Sequence, residues 1–588
     1  MATRIAVIDR ELCKPGKCQV NCRKVCPKVR VGEDCIIFDE NERKVLIDEG
    51  TCIGCGICIK KCPFQAINIV NLPHELKESP VHRFDPNGFV LYRLPFPTVN
   101  ETVGLVGPNG IGKSTVLKIL SGELHPNLGE FDKEIKISEM IKIFRGTELQ
   151  NYLERLENEK IKISYKPQRV DQIPKAFKGK VSKLLEKVDE RKILNELLKT
   201  FQLEEVMERK INEVSGGELQ RIAILACLAK DAEVYYFDEP TSFLDVFQRL
   251  NISKAIRHHC KDKAAMIVDH DLATLDFLAD RIHIFYGVPA AYGIVSKPYG
   301  VRVGINTFLD GYIKEENVRF RPESIKFFTS LIETKASPEI LVAFKNIRKK
   351  FEKFELEIER GDIRKKEVLA VLGANALGKT TFARILSGEI KASGEIDSTL
   401  KISYKPQYIE ADFKGTVKEM LSKTADISTE SYKAEMIRPL ELEKLLERDV
   451  EELSGGELQR VVIASSLSKD ADLYILDEPS AFLDVEQRLS VAKMLNRMVE
   501  VKEKSALVID HDLLFLSQVG SRAMVFLGEP SVKGFVEDVT SVKNAFNAFL
   551  KEVNVTFRKD PQTGRPRANK LDSQLDKEQK EKGNYFYI

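Results

Sequence analysis

Two stretches of this chain place glycines, a lysine and a hydroxyl at a spacing that suits a polyphosphate. LVGPNGIGKST at 105–115 and VLGANALGKTT at 371–381 each run from an apolar segment into G-x4-G-K-[ST]. Glycines at these intervals let backbone N–H groups curl around phosphate oxygens, and the helix that follows points its positive end at them. The first cradle is Gly107, Asn109, Gly110 and Gly112, continued by Lys113, Ser114 and Thr115. The second is Gly373, Asn375 and Gly378, continued by Lys379, Thr380 and Thr381. Lys113 and Lys379 are expected to neutralise the β- and γ-phosphates, and Ser114 and Thr380 to coordinate magnesium. Ala376 stands where the first stretch has Gly110, but the two required glycines are intact, so a second site is expected.

Two apolar runs end in paired acids, VYYFDE and LYILDE. Asp238 and Asp477 suit magnesium through water. Glu239 and Glu478, one residue on, are placed to polarise an attacking water as general bases. His270 and His511 each sit between two aspartates after a short apolar run, in VDHDL and IDHDL, and are expected at the γ-phosphate. The reaction these residues imply is hydrolysis of ATP at two sites. Phe84 and Phe89 in HRFDPNGF and Phe344 in VAFKNI are candidates to stack on adenine, with plain core packing as the other reading.

SGGELQR occurs at 215–221 and again at 454–460. Ser215 with Glu218, and Ser454 with Glu457, have the spacing of a helix N-cap and its third residue, so each opens a helix. Gly216 and Gly217, like Gly455 and Gly456, leave that helix end bare and suited to an anion.

Nine of the eleven cysteines fall between Cys13 and Cys62. At the front of a long chain with no export signal, clustered thiols read as metal ligands in a reducing compartment rather than as disulfides. Cys52, Cys55, Cys58 and Cys62 precede Pro63 as C-x2-C-x2-C-x3-C-P. This resembles the bacterial ferredoxin run, whose fourth cysteine ligates the other cluster. Cys13, Cys18, Cys22 and Cys26 precede Pro27 with wider gaps. The resemblance implies one 4Fe–4S cluster on Cys26, Cys52, Cys55 and Cys58, and a second on Cys13, Cys18, Cys22 and Cys62; a structural zinc site is the competing reading. Cys35, outside both runs, is expected to be a buried small hydrophobe.

The elements that must position these residues form an internal repeat. ISYKPQ at 163–168 returns at 402–407, FDEP returns as LDEP, and the FLD and DHDL phrases return unchanged. The glutamine follows the P-loop lysine by 55 positions in the first repeat and by 28 in the second. The surplus, about 132–158, carries apolar residues at helical spacing around Gly146 and predicts two short helices, either a decorated loop or a partner-binding appendage. Segment 286–321 holds five glycines and two prolines, which suits irregular backbone rather than a long helix, while its aromatics predict an ordered, packed hinge. The expected organisation is 1–73 an iron–sulfur domain, 74–285 a first nucleotide-binding domain, 286–321 a hinge, 322–550 a second nucleotide-binding domain and 551–588 a tail. In that tail Arg558, Lys559, Arg565, Arg567 and Lys570 offer phosphate contacts or, alternatively, a charged strap across the cassettes.

The whole chain, 588 residues, is too long for one core. With 91 basic and 89 acidic residues, net charge gives no argument for a nucleic-acid partner. No apolar run approaches the ~18–20 residues needed to span a bilayer, so a membrane transporter is excluded and a cytoplasmic protein expected.

The SGGELQR segments resemble the signature motif of ABC ATPases, whose two cassettes pair head to tail. That resemblance implies a site one of Lys113, Gln168, Glu239 and His270 facing Ser454, Gly455 and Gly456. Site two would join Lys379, Gln407, Glu478 and His511 to Ser215, Gly216 and Gly217. Gln168 and Gln407 would add magnesium contacts, and Asp245 and Asp484 match the family's D-loop. The order of two 4Fe–4S runs, cassette with insertion, hinge, cassette and basic tail resembles ABC subfamily E, the ribosome-recycling ATPases historically called RNase L inhibitor, in a compact form like the archaeal members. The implied fold is multidomain: an α+β ferredoxin-like iron–sulfur domain, then two α/β ABC-type P-loop domains. The implied activity is ATP-driven splitting of ribosomes, with the ribosome and a release or rescue factor as partners and a monomer whose cassettes dimerise within the chain. The competing function is an ATP-gated electron-transfer protein.

Overall fold

The computed structural model describes residues 4–10, 12–39, 43–71, 80–130, 135, 137–158, 160–327, 338–397, 400–407, 413–536, 538–570 and 572–587. The cysteine-rich head is a small α+β unit. Strands Arg4–Ile8 and Ile67–Asn71 pair antiparallel, and Ile36–Asp39 and Lys44–Ile47 form a hairpin. Short helices Asn21–Val25 and Ile57–Lys61 bury Cys22 and Cys58 against Ala6, Ile8, Val45 and Ile47. The expected boundary at 73 lies outside the described residues.

Each cassette is built on a largely parallel sheet. In the first, Thr102–Val106 lies between Arg281–Val288 and Ala264–Val268, followed by Val234–Asp238 and Ile163–Lys166. In the second, Val368–Gly373, Ser505–Ile509, Leu473–Asp477 and Ile402–Lys405 repeat that order. The central strands are continuously buried, as expected where helices cover both faces of a parallel sheet. P-loops and paired acids leave the carboxyl ends of neighbouring parallel strands, where open α/β sheets bind ligands.

The insertion consists of helices Ile137–Ile143 and Glu148–Glu157, with Gly146 between them at φ +83°. Residues 131–134 and 136 fall outside the described residues.

Two expectations need correction. Strand Arg281–Val288 crosses residue 285 and pairs with Tyr292–Val295, so the first cassette's sheet reaches into the segment assigned to the hinge. That segment is also less irregular than its composition suggests, because Val301–Asp310 is a ten-residue helix. Ile305, Phe308 and Leu309 share its buried face, and Gly311 closes it at φ +73°. Gly304 is there for close approach: a Cβ would stand 2.8 Å from Ile282 Cβ.

The tail resolves toward the strap. Phe557–Lys559 pairs with Pro566–Ala568 and Phe586–Tyr587. Arg565 and Arg567 reach Asp276 of the first cassette at 2.5 and 2.8 Å, and Lys570 reaches Asp280 at 3.5 Å. Arg302 and Asn306 of the hinge helix meet Asp560 at 3.3 Å. These three cations are therefore engaged within the molecule instead of standing free for phosphates. Among the described residues, no helix is long and apolar enough to cross a membrane.

Candidate nucleotide and cluster sites

Gly112 and Gly378 take φ of +97° and +91°, and from each starts an eight-residue helix, Lys113–Leu120 or Lys379–Leu386. Gly110 is at φ +70° and Ala376 at +59°, so the alanine adopts the same left-handed turn despite its Cβ. Gly107 and Gly373 have no room for a side chain: a Cβ would lie 2.7 Å from Phe285 O and 2.6 Å from Phe526 O. Lys113 donates to the carbonyls of Gly107 and Pro108 at 2.8 and 2.7 Å. Lys379 does the same to Gly373 and Ala374 at 3.0 and 2.6 Å. Burial pulls the Lys113 ammonium down to about 8, and lowers Lys379 likewise. Thr115 and Thr381 are half-buried in the first turns of these helices.

The Ser114 and Thr380 hydroxyls lie beside Asp238 and Asp477. One oxygen of Asp238 and both of Asp477 are buried without a hydrogen-bond partner. Burial raises both carboxyls, Asp477 to about 6. A buried, orphaned carboxylate next to a P-loop hydroxyl is the donor set a magnesium ion satisfies.

Glu239 and Glu478 have φ of +47° and +49°, a strained backbone of the kind found at functional sites. Burial alone would push both carboxyls up. Hydrogen bonding and charge from His270 and His511, aided by Lys113 and Lys379, bring them down instead to about 2. The histidine Nε2 atoms stand 3.4 and 3.5 Å from the carboxylates. Gln168 and Gln407 donate to the same oxygens at 2.7 and 2.6 Å. Lys166 and Lys405, unassigned from sequence, are buried and donate to the Asp238 and Asp477 carbonyls at 2.8 and 2.7 Å. Their recurrence in both ISYKPQ phrases was the available signal.

The signature helices Gly216–Ala229 and Gly455–Leu467 open on capping boxes at Ser215/Glu218 and Ser454/Glu457. Beyond Gly216 lies open space, and Gly217 and Gly456 pack on the carbonyls of Phe243 and Phe482. Those D-loops cross the seam between cassettes. The Asn375 amide donates to Asp245 at 2.8 Å, the Asn109 amide to Asp484 at 3.5 Å, and the Phe243 and Phe482 rings meet edge to face at 5.6 Å.

The aromatics require one correction. Phe89 lies against Gly112, and Phe84, nearly half exposed, sits 6.5 Å from it. Phe344 instead is 2% exposed and packs on Phe382, so it belongs to the core and cannot stack on adenine. Its strand register turns the ring inward. The counterparts at site two are Phe354, against Gly378, and exposed Phe351. Phe89 precedes Lys113 by 24 residues and Phe354 precedes Lys379 by 25, a spacing that would have found it.

The eight thiols separate into two cavities. Cys13, Cys18, Cys22 and Cys62 line one, with Pro63 and Phe64. Cys26, Cys52, Cys55 and Cys58 line the other, and buried Cys35 joins them there. The four run cysteines around each apolar cavity fit the ligand set of a 4Fe–4S cluster. Burial pushes Cys13 and Cys22 up to about 11 and Cys58 to about 12, so loading must expel protons.

Asn87 bolts this head to the first cassette, accepting from the Ile47 amide at 2.7 Å and donating to the Ala6 and Ile47 carbonyls at 2.9 Å. Arg83 reinforces it by pairing with Glu49 at 2.6 Å. Toward the second cassette the head offers Lys14, 2.5 Å from Glu452, and Lys17, 4.0 Å from Asp449.

The ABC transporter family profile matches residues 98–242 and 357–481. A 4Fe-4S binding domain matches 45–68, and a possible Fer4-like domain in RNase L inhibitor matches 3–34. An uncharacterised ABC transporter ATP-binding protein of Methanocaldococcus jannaschii is 51% identical, covering 100% of this chain and 98% of its own. ABC transporter E family member 1 of Arabidopsis thaliana is 44% identical, covering 100% and 99%. A model of ribosome-bound archaeal Pelota and ABCE1 superposes with a TM-score of 0.94 at 50% identity, over 100% of this chain and 99% of that one. The archaeal ribosome recycling factor aABCE1, in complex with the ribosomal stalk protein aP1, superposes at 0.84 with 50% identity, over 87% and 100%.

Proposed function

The chain belongs to the ABC transporter E family, the RNase L inhibitor family, and from that premise we propose that it is a cytoplasmic ATPase that splits ribosomes into subunits. The observation that carries the mechanism is the double attachment of the iron–sulfur head. Asn87 and Arg83 fix it to the first cassette, while Lys14 and Lys17 pair with Glu452 and Asp449, just ahead of Ser454. Site one draws its catalytic groups from the first cassette and its signature, Ser454 to Gly456, from the second. Closing site one therefore moves the segment against which the head rests, and the head turns as a lever. In each site the glutamate, Glu239 or Glu478, orients and deprotonates water toward the γ-phosphate, with its histidine holding it ionised. Ser114 with Asp238, and Thr380 with Asp477, would hold magnesium, which would supply neutralising charge for the phosphate oxygens. Binding energy realised only in the closed pairing biases a two-state hinge. The domain boundaries consistent with this reading put the first cassette's end near Val295 and leave the hinge helix and tail as the pivot.

Ribosomes assembled on sucrose gradients, with ATP and a release or rescue factor, test this directly. Intact protein is expected to convert them to subunits, and the Glu239→Gln/Glu478→Gln double variant is expected not to turn over. No splitting by fully metallated protein would refute the reading. ATP-coupled turnover of the clusters' oxidation state would point instead to electron transfer.

A further inference from the structure

The insertion is present in only one of two otherwise matched cassettes, and the way it is mounted is specific. Tyr152, in helix Glu148–Glu157, is buried and donates from its hydroxyl to the carbonyl of Leu120 at 2.5 Å. Leu120 is the last residue of the helix that begins with Lys113, so its carbonyl is one of those a helix end leaves without an internal partner. The same Tyr152 hydroxyl lies 2.7 Å from the hydroxyl of Tyr236. Tyr236 is fully buried in strand Val234–Asp238, two residues before Asp238 and three before Glu239. A single phenol thus ties the insertion to the far end of the P-loop helix and to the strand that delivers both acids. Met140, Leu149 and Leu153 share one buried apolar cluster with Leu117 and Leu120.

The second cassette supplies an internal control. Aligned on Asp238 and Asp477, Tyr236 corresponds to Ile475, which has no hydroxyl. The polar receptor occurs in the repeat that carries the insertion and is absent from the repeat that does not.

We propose that Tyr152 and Tyr236 are positioning residues that couple the insertion to nucleotide site one, so that ATP at Lys113 and Asp238 sets the orientation and rigidity of helices 137–143 and 148–157. Small shifts of the P-loop helix on nucleotide binding are passed to the insertion through a buried hydrogen-bond pair and close packing, which transmit strain better than a loose contact. The inference rests on site one binding ATP and is independent of whether the ribosome is the partner.

Hydrogen exchange of residues 137–157 in the full-length, cluster-loaded protein tests it, in a Glu239→Gln background with ATP and Mg2+ as the probe. ATP is expected to slow exchange there by about fivefold, the factor one net hydrogen bond supplies. Lys113→Ala is expected to abolish that change and Lys379→Ala to preserve it. Tyr152→Phe, and Tyr236→Ile separately, are expected to erase the ATP-dependent difference while nucleotide retained at site one stays the same. A purely structural role would speed exchange equally with and without ATP, leaving the ratio intact, and that result overturns the proposal. So does an ATP response that is absent from the parent protein or unchanged in both tyrosine variants.

Discussion

The amide of Asn375 in the second P-loop donates to the carboxylate of Asp245 in the first cassette at 2.8 Å, while its mirror contact, Asn109 to Asp484, is 3.5 Å. The two composite sites are therefore not equally tied to their opposite D-loops. A charge-assisted bond of ordinary length contributes about 1.5–3 kcal/mol, and one at 3.5 Å much less. Asp245→Ala is expected to slow hydrolysis at site two by about tenfold or more, and Asp484→Ala to slow site one by a smaller factor. Site two would be read in a Glu239→Gln background and site one in Glu478→Gln. Equal losses would mean that the asymmetry has no functional weight.

The histidine beside each glutamate governs the state of that carboxyl. Glu478 is buried, which alone would favour its neutral form, yet His511 and Lys379 hold it at about 2. A carboxyl lowered that far stays ionised across any working pH, so Glu478, as the proposed general base, does not set an acid limit. Removing His511 takes away the largest influence lowering the carboxyl, leaving Lys379 and Lys405 against burial, so the carboxyl rises and activity is then lost as pH falls through the new, higher value. His511→Ala is expected to bring the acid limb of kcat upward by at least about one pH unit. Glu478→Gln should cost about 10²–10⁴-fold at all pH values. An acid limb that does not move in His511→Ala would assign the limb to another group.

Cys35 shares a cavity with Cys26, Cys52, Cys55 and Cys58, but it stands outside both cysteine runs. If the four run cysteines are the ligands, Cys35→Ala should retain about eight irons per chain, whereas Cys58→Ser should fall toward about four. Iron and sulfide determination with electron paramagnetic resonance of the reduced protein would separate the two. A loss of four irons in Cys35→Ala would make Cys35 a ligand.

The buried part of the strap across the first cassette is centred on one acid. Asp276 is fully buried and holds both Arg565, also fully buried, and Arg567. Replacing it with asparagine leaves buried Arg565 without its counter-charge and Arg567 with Asp560 alone, at 3.5 Å, and loss of one partner of a buried pair typically costs about 3–5 kcal/mol. Asp276→Asn is expected to free the tail, seen as rapid tryptic cleavage at Arg558–Arg567 and a lower melting temperature. A tail that stays protease-resistant would show that apolar packing of Phe557 and Phe586 holds it without the ion pairs.

What could be read from the sequence was whatever is fixed by local spacing. P-loop glycines and lysines, strand-end acids and cysteine runs do their chemistry within a few residues of backbone, so their spacing carries the geometry. The tail was ambiguous because Arg567 meets Asp276 across 291 residues, and no local pattern announces such a pair. The hinge helix was obscured for a different reason. Gly300, Gly304 and Gly311 read as breakers, yet one flanks the helix, one permits close packing on Ile282 and one caps it. Lys166 and Lys405 escaped because buried lysines with carbonyl partners look, in sequence, like any surface charge.

The adenine aromatics were the least legible, since register rather than motif decides which ring faces the nucleotide. Phe344 lies in strand Ile340–Lys350 with its ring 5.1 Å from Phe382, whereas Phe354 lies on Gly378 at the mouth of the second P-loop. Each ring therefore predicts a different kind of loss. Phe354→Ala, and more weakly Phe351→Ala, should raise the KM for ATP at site two by about tenfold, in line with about 1–3 kcal/mol for stacking a base on an aromatic ring, with thermal stability little changed. Phe344→Ala should leave KM alone in the folded fraction and instead destabilise the cassette by about 3–5 kcal/mol, as deletion of a buried phenylalanine does. Steady-state kinetics in the Glu239→Gln background, paired with thermal melts, separates the two. If Phe344→Ala raised KM while Phe354→Ala did not, the stacking assignment at site two would be wrong.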